Sequence, residues 1–315
     1  MKLILPVELA AKVEPLLPGD TTVARVDSEG NFDGDPSDAE VYLNGFKLKN
    51  TTLHKVLAAA PKIRWQHTPS AGVNHILTPV FLEHDILLTN GSGVHGIPIA
   101  EFVLTFILYH AKHLKKLQDL QSNQQWIKWS ELQELYNKNL LIIGTGSIGR
   151  EIAVRAKAFG MNVFGSRLRP DPLPNFDLIV SADEWRSLLP KADYVVIATP
   201  LTPKTRGLID AEALQLMSKN AYLINIARGA IVDEDALLTA LREGWIAGAG
   251  LDTFTVEPLP PDSLFWSLPN VFITPHCSAL TPRLRDRIVE LFLDNLTRYR
   301  NGKPLRNIVD KKAGY

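Results

Sequence analysis

The feature that most constrains the fold is a glycine turn that stands between an apolar run and a helix-like stretch. Residues 140–144 read LLIIG, the turn reads GTGSIG at 144–149, and the helical spacing that follows ends at Gly160, before a second apolar run, MNVFGS. A strand, a helix and a return strand within about 30 residues form a βαβ unit, which requires a parallel sheet. The first amides of such a helix face the turn and bind phosphate, so the unit predicts a dinucleotide site.

A second turn, GSGVHG at residues 91–96, has the same glycine spacing in a different context. Residues 97–121 carry helical spacing with Pro98 in the first turn and predict one long helix. The polar residues 122–139 then predict irregular chain and a short helix, with no return strand at the distance of a βαβ unit. This context favours residues 144–149 as the phosphate turn, with a tight turn that binds no ligand as the alternative there.

Elsewhere, short apolar runs alternate with helical stretches, which is the pattern of an α/β fold with parallel sheets. Before residue 91 the runs are KLILP, AEVYLNG, IRWQHT and ILLTN; after residue 160 they are MNVFGS, YVVIATP, AYLINIAR, AGAGLDTF and NVFITPH. The chain then carries an amphipathic helical pattern that ends at Gly302.

Composition narrows the classes of function. With 315 residues the chain is long enough for two hydrophobic cores. Lys and Arg total 34, and so do Asp and Glu, so no net charge favours nucleic acid or a membrane surface. Cys277 is the single cysteine, which excludes an intrachain disulfide and is typical of a reducing compartment. The longest strongly apolar window, residues 102–109, is far shorter than a membrane span, and the first residues do not resemble a secretory signal, so we expect a cytoplasmic protein.

The end of the second strand in the βαβ unit indicates which dinucleotide is bound. An NAD site places a carboxylate there to accept hydrogen bonds from the ribose 2′-hydroxyl. This chain instead reads VFGSRLRP, which contains Ser166, Arg167 and Arg169 and no acidic residue. Two arginines and a hydroxyl suit a 2′-phosphate, which favours NADPH (NADP+) over NADH. The alternative is that both arginines are solvated surface charges.

Four further segments place polar residues at the ends of apolar runs. They read ATPLTPKTRG at 198–207, NIARGAIVDEDAL at 225–237, GLDTFTVEPLP at 250–260 and TPHCSALT at 274–281. Together with SAGVNHI, GIPIAEFVL and GTGSIG earlier in the chain, this ordered set resembles the D-isomer-specific 2-hydroxyacid dehydrogenase family. The resemblance covers nearly the whole chain.

The resemblance implies two Rossmann- or flavodoxin-like domains with parallel sheets and an active-site cleft between them. Residues 1–94 and 282–315 would form a substrate domain, and residues 95–281 would form the NAD(P)-binding domain. The glycines of residues 91–96 would then be permissive backbone at an interdomain crossing that lets the cleft close. The resemblance also implies a homodimer, a small 2-keto acid or 2-hydroxy acid as ligand, and neither nucleic acid nor membrane as partner.

The resemblance further implies a catalytic set of Arg228, Glu257 and His276, and chemistry agrees with these residue types. Reducing a 2-keto acid needs a cation for the carboxylate, a proton donor for the carbonyl oxygen and a hydride. Arg228 offers a planar fork, His276 gains and loses a proton near neutral pH, and Glu257 would stabilise the imidazolium. His276 stands out among the eight histidines because it follows the run VFITP. Without the resemblance, Glu257 could equally be a solvated carboxylate in a proline-rich loop.

The remaining site residues follow from the turn, the second strand end and the resemblance. Substrate would be bound by Arg228 and by the N–H groups of Ala71, Gly72 and Val73 in the SAGVN loop. The cofactor-binding set is Gly144, Gly146, Ser147, Ile148, Gly149, Ser166, Arg167, Arg169, Thr199, Pro200, Ala227, Asp252 and Ser278. Asp252 would accept a hydrogen bond from the nicotinamide carboxamide. Cys277 is interpreted as a packing residue, and no histidine spacing predicts a metal site.

The sequence therefore predicts an NADPH-preferring reductase of small 2-keto acids, glyoxylate or hydroxypyruvate above all, that forms D-2-hydroxy acids with His276 as proton donor. The alternative is a non-catalytic protein on the same scaffold that senses a dinucleotide or binds a partner. An L-specific dehydrogenase is disfavoured because its glycine fingerprint lies near the N-terminus, whereas this one begins at Gly144.

Overall fold

Two compact units make up the chain. The computed structural model describes residues 1–46, 48–128 and 132–314. One unit comprises Met1–His95 with Thr281–Tyr315, and the other comprises Gly96–Leu280. Each contains a sheet whose strands are mainly parallel, which confirms the predicted α/β class. The predicted boundaries lie within one residue of these units, while the assignment of substrate to one and cofactor to the other stays a prediction.

The first unit is a six-stranded sheet in the order β3-β2-β1-β4-β5-β6, parallel except for the β2–β3 pair. Its strands are β1 (Lys2–Pro6), β2 (Thr22–Val26), β3 (Phe32–Asp33), β4 (Val41–Leu43), β5 (Trp65–His67) and β6 (Leu87–Thr89). Its helices before residue 96 are α1 (Val7–Val13), α2 (Asn50–Ala59) and α3 (Pro79–Leu82). The four predicted strands are confirmed as β1, β4, β5 and β6, in which most residues are buried.

The second unit is a parallel seven-stranded sheet in the order β13-β12-β11-β10-β7-β8-β9. Its helices are α4 (Gly96–Ala111), α5 (Leu114–Ser122), α6 (Ser147–Ala158), α7 (Ala211–Leu216) and α8 (Glu234–Glu243). Its strands are β7 (Asn139–Ile143), β8 (Asn162–Arg167), β9 (Leu178–Ser181), β10 (Tyr194–Ile197), β11 (Tyr222–Asn225), β12 (Gly248–Leu251) and β13 (Val271–Ile273). Because parallel strands bring their carboxyl ends to one edge, the polar segments that follow β7, β10, β11, β12 and β13 share that edge.

The prediction of one long helix after residue 96 is wrong, because the helix breaks between α4 and α5. His113 adopts a left-handed backbone with φ 47, which redirects the chain. The physical reason is the end of the apolar face: α4 buries nine residues, whereas α5 buries none. At the break, the Gln133 N–H donates to the Ala111 carbonyl, so a distant segment caps α4. The short helix predicted farther on is absent from residues 132–138, and residues 129–131 lie outside the described chain.

The glycines of residues 91–96 serve three different backbone needs. Only Gly93 has a positive φ, at 93. A Cβ on Gly91 would overlap the carbonyl oxygen of Pro69, and a Cβ on Gly96 would lie 3.0 Å from Glu151 Cγ on α6. Close packing therefore requires glycine at position 91, the positive φ favours it at position 93, and at position 96 a Cβ would only press on the Glu151 side chain. The sequence predicted permissive backbone for all of them.

The chain returns to the first unit with helix α9 (Leu284–Arg300), and Gly302 follows it with φ 61. The segment after α9 covers the edge strand β6, where the Val309 N–H donates to the Leu88 carbonyl. Among the residues that the structure describes, no helix is long and apolar enough to cross a bilayer. Trp126 in the second unit is fully exposed. The homodimer that the resemblance implies stays a prediction.

Candidate active site

The turn between β7 and α6 has a backbone that side chains would obstruct. Gly144 has φ 101, and a Cβ on it would lie 2.6 Å from the Ala198 carbonyl. A Cβ on Gly149 would overlap the carbonyl oxygen of Gly144. Gly146 differs from both, because a Cβ there would meet no atom within 4 Å. Two glycines thus fold the turn tightly, and the third leaves its outer side open.

This geometry fits the pyrophosphate of a dinucleotide. Any side chain at Gly146 would occupy the open space next to the start of α6. In that first turn, the N–H groups of Ile148 and Gly149 have no carbonyl partner four residues back within the helix. The hydroxyl of Thr145 is buried and makes no hydrogen bond to the described residues. Donors at a helix start and an unsatisfied hydroxyl beside an open backbone suit a bound phosphate.

The end of β8 separates the residues predicted to bind a 2′-phosphate into two groups. Ser166 is buried, and its hydroxyl donates to the Ser181 carbonyl at 3.2 Å, so this side chain is used within the sheet. Arg167 is half-buried, Arg169 is exposed, and neither makes an ion pair with any residue in 1–46, 48–128 or 132–314. Glu184, the nearby carboxylate, accepts hydrogen bonds from the backbone and hydroxyl of Ser181. The two arginines therefore remain available to an anionic ligand.

Arg228 follows β11 in a loop that packs closely against the next strand end. A Cβ on Gly229 would overlap the backbone of Phe254, so only glycine permits this approach. The Asn225 side chain accepts from the Ala227 N–H at 3.1 Å and donates to the Arg228 carbonyl at 3.0 Å, which fixes the loop. The Arg228 guanidinium donates once within the described chain, from Nη1 to the Ala227 carbonyl at 2.6 Å. Most of its five N–H donors are thus left for a ligand.

Burial lowers the pKa of Arg228, and the charge of nearby Glu257 opposes that shift. An arginine starts from so high a pKa that it stays a cation at neutral pH. A half-buried cation with few internal hydrogen bonds interacts strongly with a carboxylate, because little water screens the pair.

Asp252, at the end of β12, anchors the loop that carries His276. The carboxylate is fully buried and accepts three hydrogen bonds from that loop. The donors are the Thr274 hydroxyl at 2.6 Å, the Cys277 N–H at 2.9 Å and the Ser278 N–H at 3.1 Å. One acceptor position of the carboxylate remains for a further donor. Asp252 therefore acts on the neighbouring loop, a role that the sequence analysis did not assign to it.

His276 and Glu257 form a hydrogen-bonded pair. His276 Nδ1 lies 2.7 Å from Glu257 Oε2, and Glu257 Oε1 accepts from the Phe254 N–H at 2.9 Å. Because an ionised carboxylate only accepts, Nδ1 carries the hydrogen and Nε2 is the nitrogen that can exchange a proton. His276 has a left-handed backbone with φ 51, and 45% of its side chain is exposed. The Phe254 N–H therefore orients Glu257, Glu257 orients the imidazole, and both side chains are open to solvent.

The remaining predicted residues are divided between the two units. Thr199 and Pro200 follow β10 beside Gly144, and the Pro200 carbonyl accepts from the Thr205 hydroxyl at 2.7 Å. Burial raises the pKa of the Cys277 thiol, and the charge of Asp252 adds to the effect, which disfavours a reactive thiolate. Ala71, Gly72 and Val73 belong to the other unit. No group of three His, Cys, Asp or Glu residues within the described ranges could hold a metal ion.

Three residues of this edge were not predicted from the sequence, namely Asn225, Thr274 and Thr145. The only sequence signal for them is a polar residue directly after an apolar run. That signal marks the edge of the sheet but does not tell a ligand contact from a loop anchor.

Comparison with known proteins identifies a matching family and solved structures of similar fold. The family model described as the NAD binding domain of D-isomer specific 2-hydroxyacid dehydrogenases matches residues 104–278. A glyoxylate reductase of Thermococcus kodakarensis is 35% identical over 267 residues, which cover 82% of this chain and 80% of that protein. A D-isomer specific 2-hydroxyacid dehydrogenase from Xanthobacter autotrophicus was solved in complex with NADPH and MES. It aligns with this chain at a TM-score of 0.88 and 28% identity, and the alignment covers 100% of this chain and 99% of that one. An NADPH-dependent glyoxylate/hydroxypyruvate reductase from Sinorhizobium meliloti, solved with NADP and sulfate, has a TM-score of 0.86 and 26% identity over the same shares of the two chains.

Proposed function

Because the chain belongs to the D-isomer-specific 2-hydroxyacid dehydrogenase family, an NAD(P)-dependent oxidoreductase family, we propose that it is an NADPH-preferring reductase of glyoxylate and hydroxypyruvate that forms D-2-hydroxy acids. The observation that carries the proposal is the 2.7 Å His276–Glu257 pair, whose histidine lies on a loop held by buried Asp252 in the same unit as Arg228. A protein that only senses a dinucleotide has no need of an oriented proton donor.

In the proposed reaction, His276 is the general acid. Protonated His276 donates the Nε2 proton to the carbonyl oxygen of the substrate as the carbonyl carbon is reduced, and the product hydroxyl keeps that proton. Glu257 stabilises the imidazolium and prevents the ring from turning its other nitrogen to the substrate. The exposed part of the ring then regains a proton from water. In the reverse direction the same nitrogen accepts the proton from the hydroxyl.

Arg228 and the SAGVN loop recognise the carboxylate that all 2-keto acids share. The planar guanidinium of Arg228 can donate two parallel hydrogen bonds to the substrate. The N–H groups of Ala71, Gly72 and Val73 are proposed as further donors to the carboxylate. A positive charge that polarises the carbonyl also makes the carbon more electrophilic.

The residues of the glycine turn are proposed to hold the cofactor. Gly144, Gly146 and Gly149 provide the open backbone, and the start of α6 provides N–H donors for the pyrophosphate. The nicotinamide, when bound, supplies the hydride. We propose that the cofactor site at this edge of the sheet is also lined by Ser278, Thr199, Pro200 and Ala227. Asp252 is proposed to use its remaining acceptor position for the carboxamide while it holds the His276 loop.

The NADPH preference is proposed to come from Arg167, with Arg169 in support. We expect Arg167→Gln to raise the Kd for NADPH by about 10- to 100-fold, because a hydrogen bond to a charged group contributes about 1.5–3 kcal/mol. The Kd for NADH should change by less than about twofold, since NADH lacks the phosphate. Fluorescence titration with both cofactors measures the two constants. The exposed Arg242→Gln is the matched control and should change neither. Equal losses for both cofactors in Arg167→Gln would refute the assignment.

A substrate panel tests the proposed function directly. Purified protein is mixed with NADPH or NADH and with glyoxylate, hydroxypyruvate, pyruvate or a branched 2-keto acid, and the absorbance of the reduced cofactor is followed. We expect turnover with glyoxylate and hydroxypyruvate, faster with NADPH, and a product that is the D-isomer where the product is chiral. Absence of oxidation with every pair would refute the reductase, and an L-product would refute the stereochemistry.

A further inference from the structure

We propose that Asn90, Gly91 and His95 are positioning residues that hold the loop of residues 69–73 in the form that binds the substrate carboxylate. The proposal rests on the proposed function, in which the N–H groups of this loop bind a 2-keto acid. It assigns to the second glycine turn a part in substrate binding that its sequence pattern does not show.

Three successive carbonyl groups of the loop accept hydrogen bonds from the turn. The bonds are His95 Nε2 to the Pro69 carbonyl at 2.8 Å, the Gly91 N–H to the Ser70 carbonyl at 2.9 Å, and Asn90 Nδ2 to the Ala71 carbonyl at 2.9 Å. Because a carbonyl only accepts, Nε2 of His95 carries a hydrogen in this arrangement. Each of these three carbonyls thus accepts one hydrogen bond from the turn.

Three N–H groups of the same loop have no acceptor among the described residues. Within residues 1–46, 48–128 and 132–314, the N–H groups of Ala71, Gly72 and Val73 donate no hydrogen bond. Carbonyl oxygens repel a carboxylate, whereas successive N–H groups attract one. A loop with its carbonyls occupied and its N–H groups unoccupied is arranged in advance for an anion.

The turn lies so close to the loop that it leaves little freedom for movement. A Cβ on Gly91 would overlap the Pro69 carbonyl oxygen, so the two backbones are in direct contact. Asn90 is buried, and its Oδ1 accepts from the Ser92 N–H at 3.1 Å, which fixes the amide that donates to the loop. A glycine and an oriented amide together define where the loop carbonyls lie.

The segment after α9 supports the turn from its other side. The Asn90 N–H donates to the Asn307 carbonyl at 3.1 Å. The Asn307 side chain donates to the carbonyls of Asn90 at 3.2 Å and Ser92 at 2.8 Å. The segment therefore fixes the backbone of the turn. A change in the Asn90 side chain then alters its hydrogen bond to the loop and leaves the position of the turn in place.

Asn90→Asp tests the proposal with little change in shape. The aspartate keeps the acceptor for the Ser92 N–H but places an oxygen against the Ala71 carbonyl, where the amide donated. We expect the KM for glyoxylate to rise by about 10-fold or more while kcat changes less than about threefold, because loop misplacement weakens substrate binding before it affects proton transfer. The Kd for NADPH should not change. Hydrogen–deuterium exchange of the Gly91 amide, which donates to the Ser70 carbonyl, should become faster.

Two further sets of variants separate positioning from general stability. Asn270→Asp removes a comparable amide donor, which bonds to the Leu241 and Ala247 carbonyls in the other unit, and should leave the KM for glyoxylate unchanged. His95→Leu should raise that KM, whereas His95→Gln should largely restore it, because the glutamine amide can donate to Pro69. A wild-type chain that reduces no 2-keto acid would overturn the proposed function. An active wild type in which Asn90→Asp leaves both the KM and the exchange of the Gly91 amide unchanged, or in which Asn270→Asp raises the KM equally, would overturn the positioning role alone.

Discussion

Replacing His276 with glutamine is expected to lower kcat for glyoxylate reduction by about 10³-fold, within the range that general acid catalysis contributes. Glutamine can still form a hydrogen bond to Glu257, but its amide has no proton to give at neutral pH. The Kd for NADPH should stay within about twofold of the wild-type value, since the glycine turn is unaltered. Stopped-flow single turnovers measure the chemical step, and fluorescence titration measures cofactor binding.

The pairing with Glu257 makes this prediction sharper. If Glu257 acts through His276, the double variant Glu257→Gln/His276→Gln should turn over no more slowly than His276→Gln alone, because the two losses are not additive. His84→Gln is the matched control, since that half-buried histidine lies in the other unit. If His276→Gln kept more than about a tenth of wild-type kcat, His276 would not be the proton donor.

Residues that follow directly from local rules could be predicted from the sequence. The positive φ of Gly144 and the tight packing of Gly149 come from a turn whose shape is set within a few residues. The meeting of Glu257 and His276 follows from the strand-end rule, because β12 and β13 are parallel neighbours and both residues come after those strands. Position along the chain was therefore sufficient to place both residues at the same edge, but the role of Glu257 was implied only by the family resemblance.

Residues whose role depends on a distant partner could not be predicted in this way. Ser166 is of a residue type that often binds phosphate. Its hydroxyl instead donates a hydrogen bond to the Ser181 carbonyl on β9, a strand that was not predicted. Strands β2, β3 and β9 escaped prediction because exposed or polar positions interrupt their apolar runs. Gly91 likewise depends on Pro69, 22 positions earlier, and no pattern local to the turn contains that contact.

Arg228→Gln is the second large effect, and it tests whether recognition of the carboxylate drives the reaction. We expect kcat/KM for glyoxylate to fall by about 10³-fold, because removing one partner of a desolvated charge pair costs roughly 2–5 kcal/mol. The Arg228 guanidinium donates only to the Ala227 carbonyl within the described chain, so the loss should appear in substrate reduction and not in the stability of the unit. Steady-state kinetics and thermal unfolding measure the two quantities.

Arg228→Lys separates the charge from the planar fork. Lysine keeps the cation but offers a single donor point, so it should recover only part of the lost kcat/KM, about tenfold, if two parallel hydrogen bonds to the substrate matter. The matched control is Arg186→Gln, which removes an arginine paired with Asp210 at 2.8 Å in the same unit and should lower stability without lowering kcat/KM. Full recovery by lysine would show that Arg228 acts as a point charge, and an unchanged kcat/KM in Arg228→Gln would remove it from the substrate site. Because wild-type arginine and the lysine variant differ in donor geometry at constant charge, the ratio of their kcat/KM values measures how much the planar fork contributes beyond the charge.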